Sequence, residues 1–216
     1  MNFLGIDLSL NATGLAMLTV DDPDTNIPDF SAIPGRKKIR HHLTSSQVYQ
    51  GCLIVPRSTD DTLGRWEDVL CPILAWAMEA HSVIIEGYAF AANMAYHNAI
   101  VEMGGILRYH LRKLEHVPIE IAPTSLKKFV SGHGNAQKPD MLAAVQRLGL
   151  PIEDHNMADA FGLAQLGQAL TADVCNLSRA QREVIGAIKY PTPKVRKLPG
   201  RKLKFSAPVQ TRMGDL

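Results

Sequence analysis

Apolar residues along the chain fall into short blocks separated by glycine, proline, asparagine and aspartate, and each block predicts one element. Residues 3–20, FLGIDLSLNATGLAMLTV, read as two strands around an Asn-Ala-Thr-Gly turn; the first, Phe3 to Leu8, is apolar except for Asp7. Residues 21–48 shift to Asp, Pro and Gly with a basic cluster (Arg36, Lys37, Lys38, Arg40, His41, His42), the composition of a surface loop or insertion. Cys52 to Val55 predicts a third strand closing the meander. Over 62–81, Trp66, Val69, Leu70, Ile73 and Ala77 recur at helical spacing, with Pro72 predicting a kink or boundary. Ser-Val-Ile-Ile-Glu, ending at Glu86, reads as a buried strand stopped by Gly87.

A long helix is predicted over 92–114, with Ala99, Met103, Leu107, Leu111 and Leu114 near one face. Gly104-Gly105 in its middle lowers helix stability by about 1 kcal/mol each relative to alanine, which predicts close approach of another backbone. Val117 to Ala122 is a short strand, followed by a helix through Phe129 capped by Thr124 or Ser125. After the Gly132-His-Gly-Asn-Ala loop, Pro139 opens a helix and Gly149 closes it. Residues 156–170 form an Ala-, Gly- and Leu-rich helix. Strands interleaved with helices after an initial meander predict an α/β fold with a mixed sheet covered on both faces. The domain is expected over 1–175, with a basic, Pro-rich C-terminal tail over 176–216.

Composition alters this picture little. The formal net charge of +2 says little about partners, but Lys189 to Lys204 holds seven Lys or Arg residues and no acid. Such a stretch suits sequence-independent contact with DNA phosphates. No apolar stretch approaches the roughly 20 residues that cross a bilayer, and no signal segment precedes the first strand, so a cytoplasmic protein is expected. Cys52, Cys71 and Cys175 are odd in number and widely spaced, suggesting neither a disulfide framework nor a zinc site.

The chemistry lies in the acids. An isolated carboxylate inside an apolar strand costs several kcal/mol unless it is paired or bound to a cation. Asp7 and Glu86 both occupy such positions, and Asp159 sits in a helix between Ala158 and Ala160, small neighbours that let a helix lie close to a sheet. Magnesium takes oxygen ligands from one or two carboxylates together with phosphate oxygens. Two such ions about 4 Å apart can serve phosphodiester cleavage. Any one acid at a strand end also fits a solvated edge or an ion pair; the three together point to a metal site.

Four segments carry a family resemblance: GIDLSLNATGLA around Asp7, VIIEGYAF around Glu86, IAPTSLKKFVSGHGNAQK, and HNMADAFGLA around Asp159. In these the chain resembles the RuvC-like Holliday junction resolvases, bacteriophage versions in particular, within the ribonuclease H-like superfamily. The resemblance covers roughly residues 3–170. It implies a five-stranded mixed sheet flanked by helices, its first three strands antiparallel. It further implies a homodimer cutting opposed strands of a four-way junction to leave 5′-phosphates. Asp7, Glu86 and Asp159 fall on metal-ligand positions, for two Mg2+ ions that Mn2+ can replace. The fourth ligand, commonly Asp or His, would stand three residues before Asp159, where this chain has Asn156. Asn156 shares a helix face with Asp159; its amide oxygen can ligate but brings no charge, and Asp154 or His155 is an alternative from the preceding loop.

Lys127 and Lys138 match lysines near the active site or on the DNA backbone in relatives. Lys128 has no such match and ranks below them, and all three also suit a solvated basic face. Tyr88 and Phe90 lie in a segment that in relatives stacks on or wedges into bases at the junction centre. Expected partners are branched DNA (four-way and Y-junctions) and a second copy of the chain, with no membrane and no nucleotide cofactor. Three readings compete: a non-cleaving junction-binding protein, supported by Asn156 alone; another ribonuclease H-like nuclease, either a ribonuclease H or an exonuclease; and an actin-like ATPase. Against the last, Asp-Leu-Ser-Leu-Asn stands where a Gly-Thr or Gly-Ser phosphate loop is required.

Overall fold

The structure is a computed structural model that describes residues 1–20, 35–58, 60–88, 94–172 and 174–191. Its strands are β1 (Asn2–Asp7), β2 (Thr13–Val20), β3 (Arg36–Thr44), β4 (Gln47–Ile54), β5 (Ser82–Glu86) and β6 (Ile119–Ile121). Its helices are α1 (Thr62–Ala77), α2 (Met94–Lys113), α3 (Pro123–Ser131), α4 (Lys138–Gln146), α5 (His155–Thr171) and α6 (Arg179–Lys189). The six strands form one sheet in the order β3-β4-β2-β1-β5-β6. The β1/β2, β2/β4 and β3/β4 pairs are antiparallel, whereas β1/β5 and β5/β6 are parallel. The expected mixed α/β architecture is present.

The period of two sorts side chains onto two cores. Phe3, Ala16, Leu18, Tyr49 and Ile84 face a core completed by α3, α4, α5 and α6. Leu4, Ile6, Leu15, Met17, Val83 and Ile85 face the other, completed by α1 and α2. Central strands covered on both sides are apolar throughout, which is why β1 and β2 lack a polar face. Among the described residues no helix is long and apolar enough to cross a membrane.

Glycine is required where α5 crosses the sheet. A Cβ on Gly5 would overlap the Ala160 carbonyl oxygen, and one on Gly14 would overlap the backbone of Asn156. Both obstacles are backbone, so the helix itself would have to move. Gly5→Ala should destabilise the chain by about 3 kcal/mol, lowering the melting temperature by about 6–12 °C. Thermal unfolding monitored by circular dichroism checks this, and a loss under about 2 °C would contradict it.

Several elements differ from expectation. The sheet has six strands rather than five, because the basic segment read as a loop forms β3 at the sheet edge. Ile39 and Leu43 of β3 are only partly buried against the core, and the charges between them obscure the alternation. Helix α1 continues through Pro72, which is buried rather than breaking the helix. Helix α3 starts from Ala122 with Pro123 in its first turn, so neither Thr124 nor Ser125 caps it. Residues 179–189, assigned to the tail, form α6, capped by a reciprocal Ser178–Gln181 pair and anchored by buried Val184 and Ile185. Residues 192–216, with most of the basic tail, lie outside the described residues.

Candidate active site

Asp7 is the last residue of β1 and Glu86 the last of β5. These strands are parallel with Ile6 opposite Ile85, so the next step of the register sets Asp7 beside Glu86. Both side chains alternate onto the sheet face covered by α5, which lies across β1 and β2. Asp159, one turn into α5 between fully buried Ala158 and Ala160, completes the group.

The electrostatics show how closely the three are coupled. Burial, then Asp159 and Glu86, hold the Asp7 carboxyl well above the usual carboxylate range. Burial and the Asp159 charge push Glu86 up to about 7. Burial raises Asp159 to about 6, against the opposing pull of Lys138 and Lys127. One carboxylate oxygen of Asp159, Oδ1, is buried with no hydrogen-bond partner. Among the described residues no three His, Cys, Asp or Glu side chains converge closely enough to enclose one ion. The acids therefore form a charge-coupled cluster rather than a closed cage. Hard oxygen donors, an orphaned buried carboxylate oxygen and mutual repulsion nevertheless fit divalent cations, one of which would offset two of the three negative charges.

Around the cluster, Asp154 caps α5 by accepting from the Asn156 backbone N–H at 2.9 Å. Its charge reaches Asp7 and Asp159 as well. Lys37 of β3 pairs with it at 3.8 Å. Of the alternatives for the fourth position, Asp154 thus contributes a charge felt at the cluster, while Asn156 is half-buried on the first turn of α5. The His155 imidazole is held below its ordinary pKa by burial and by Lys138, whose ammonium lies 2.7 Å from Nε2. A neutral ring accepting from Lys138 accounts for both facts.

Lys127 on α3 and Lys138 on α4 are the cations acting on the carboxylates. Lys128 is not drawn to the cluster; it donates to Glu183 of α6 at 2.8 Å. Tyr88 lies beside Glu86 in a cleft lined also by Leu8, Tyr96, His97 and Arg108. The Arg108 guanidinium sits 4.6 Å from the centre of the Tyr88 ring, and donates to its hydroxyl and to Glu120. This corrects the reading of Gly104: the group filling its missing Cβ is the Tyr88 hydroxyl rather than another backbone, and Gly105 faces open space. The Arg108–Glu120 anchor of Tyr88 joins residues distant in sequence and carries no local signal. Phe90 lies outside the described residues.

No protein-family profile matches the chain, and neither does any curated protein sequence. Solved structures do match. Thermus thermophilus RuvC superposes with a TM-score of 0.55 at 19% identity, covering 76% of this chain and 91% of that one. T. thermophilus RuvC in complex with Holliday junction substrate superposes at 0.57 with 18% identity, covering 76% and 90%. Likeness at this identity shows a shared, RuvC-like fold.

Proposed function

We propose that this chain is a divalent-metal-dependent endonuclease that cuts branched DNA, four-way junctions foremost, and acts as a homodimer. The observation that carries the reading is the coupled burial of Asp7, Glu86 and Asp159, with one Asp159 oxygen unpartnered. Three acids held this way destabilise the chain unless a cation meets them. Support also comes from the RuvC-like fold, since one of the similar proteins is bound to a Holliday junction substrate.

Asp7, Glu86 and Asp159 would hold magnesium, or manganese in its place, as two ions, with Asp154 adding its negative charge from the N-cap of α5. When bound, the metal supplies Lewis-acid stabilisation to the charge that develops on the phosphodiester. The chain's own groups bring the substrate in. The Lys127 and Lys138 ammonium groups attract a phosphate towards acids that would otherwise repel it. Neutral His155, accepting from Lys138, holds that ammonium in place and adds no competing charge. Attack of water on phosphorus breaks the bond to the 3′ oxygen and leaves a 5′-phosphate and a 3′-hydroxyl. A four-way junction is two-fold symmetric, so a two-fold dimer would offer one site to each opposed strand.

The test is a substrate panel with magnesium: a four-way junction, a Y-junction, linear duplex and an RNA–DNA hybrid. Cleavage of the branched substrates in preference to linear duplex is expected. Cleavage of the hybrid alone would make the protein a ribonuclease H, and junction binding without cleavage would make it a binding module. ATP hydrolysis without DNA cleavage would overturn the assignment.

A further inference from the structure

Strand β3 is a basic sheet edge that no nuclease step requires. We propose that Arg36, Lys37 and Arg40 on it bind backbone phosphates of a duplex arm of the DNA whose strand is cut at the carboxylate cluster. The proposal rests on the reading of the chain as a branched-DNA nuclease and assigns that site a second contact surface.

Topology puts the surface within reach. Antiparallel pairing from β1 through β2 and β4 to β3 brings the start of β3 to the sheet end where β1 and β5 finish. Three strand spacings separate β3 from β1, about 14 Å at about 4.8 Å each. Successive phosphates of one duplex strand rise about 3.4 Å along the axis, so the start of β3 lies about four nucleotides from the cluster. The pairing register shifts between Arg36 and Ile39, and Lys37 between them has φ +50. A bulge of this kind re-aims a side chain. Here Lys37 is turned towards α5, where it meets Asp154 at 3.8 Å while its side chain stays 53% exposed. That loose contact leaves the ammonium accessible to phosphate and ties the basic edge to the helix bearing Asp159.

Arg36 and Arg40 are exposed and form no ion pair with any described acid. Arg36 shares with Glu67 and Asp68 of α1 a cleft in which Arg57 takes Asp68 at 2.9 Å. Charges on an edge strand also discourage strand-to-strand aggregation. That role requires no particular DNA affinity, so salt dependence separates the two.

The full-length chain carrying Arg36→Gln, Lys37→Gln and Arg40→Gln is compared with wild type. Fluorescence anisotropy follows binding to a labelled four-way junction, with calcium replacing magnesium, across a salt series. Each lost phosphate contact lowers the slope of log affinity against log salt by about 0.9, so a decrease of about 2–3 is expected, with about 10–100-fold weaker binding at low salt. Arg36→Lys with Arg40→Lys should keep the wild-type slope. An unchanged slope in the triple variant would overturn the proposal, as would equal loss in the lysine pair. Should the triple variant melt early, the single Arg36→Gln and Arg40→Gln variants decide the question, at about 0.9 each. Wild type that binds the junction but never cuts refutes the nuclease reading alone, and the slopes still judge the edge. Wild type that binds no DNA overturns both.

Discussion

Asp7→Asn will lower magnesium-dependent junction cleavage by about a thousandfold or more, while junction affinity in calcium stays within about threefold of wild type. The asparagine keeps the shape of the side chain and removes the charge at the meeting point of β1, β5 and α5, where Glu86 and Asp159 already bear on it. Single-turnover cleavage and a gel-shift titration measure the two quantities. Retention of more than about a tenth of the activity would remove Asp7 from the proposed metal site. The same variant has a structural signature that a merely inactive protein would lack. Without divalent cations at pH 8 it should melt higher than wild type, because one of three buried repelling charges has gone.

The second expectation concerns pH. Glu86 stands at about 7 and Asp159 at about 6 in the fold, above their ordinary 4.5 and 3.8, and Asp7 is raised as well. The folded chain therefore binds these protons more tightly than the unfolded chain. Stability is full below about pH 4 and is lost as pH rises through 6 to 7. For Glu86 or Asp159 titrating alone the loss is about 3 kcal/mol. The metal-free melting temperature should fall by about 10 °C between pH 5.5 and 8. Magnesium should raise it far more at pH 8 than at pH 5.5, since protons and metal compete for the same oxygens. Glu86→Gln should flatten the metal-free profile. A wild-type melting temperature that is level or rising over this range would show that the three acids are not coupled in the burial described.

What could be read beforehand depended on contrast. Asp7 and Glu86 stood out because each is one charge in an apolar run, and the strands bearing them lie where those runs predict. Asp159 was legible through its alanine neighbours, which are fully buried on α5. Strand β3 was not, because its inward residues Ile39 and Leu43 are spaced by arginine, lysine and histidine whose density reads as loop. Helix α6 was hidden by the prolines just beyond it, although Val184 and Ile185 form its buried face. The tertiary contacts had no local signal at all. Asp154, one of three alternatives by spacing, is distinguished by its charge at the cluster and its bond to the helix it caps. Arg108 meets Tyr88 from twenty residues further along the chain.

The glycines under α5 have a consequence beyond stability. Gly5 and Gly14 let the helix rest on the backbone of β1 and β2, so the separation of sheet and helix works as a gauge block for Asp159. Magnesium accepts oxygen only near 2.0–2.1 Å, and ligand distances tolerate errors of about 0.2 Å. One methyl group at Gly5 would lift the gauge by more than that tolerance. A chain altered there could still fold, yet would set its third carboxylate out of register with the other two.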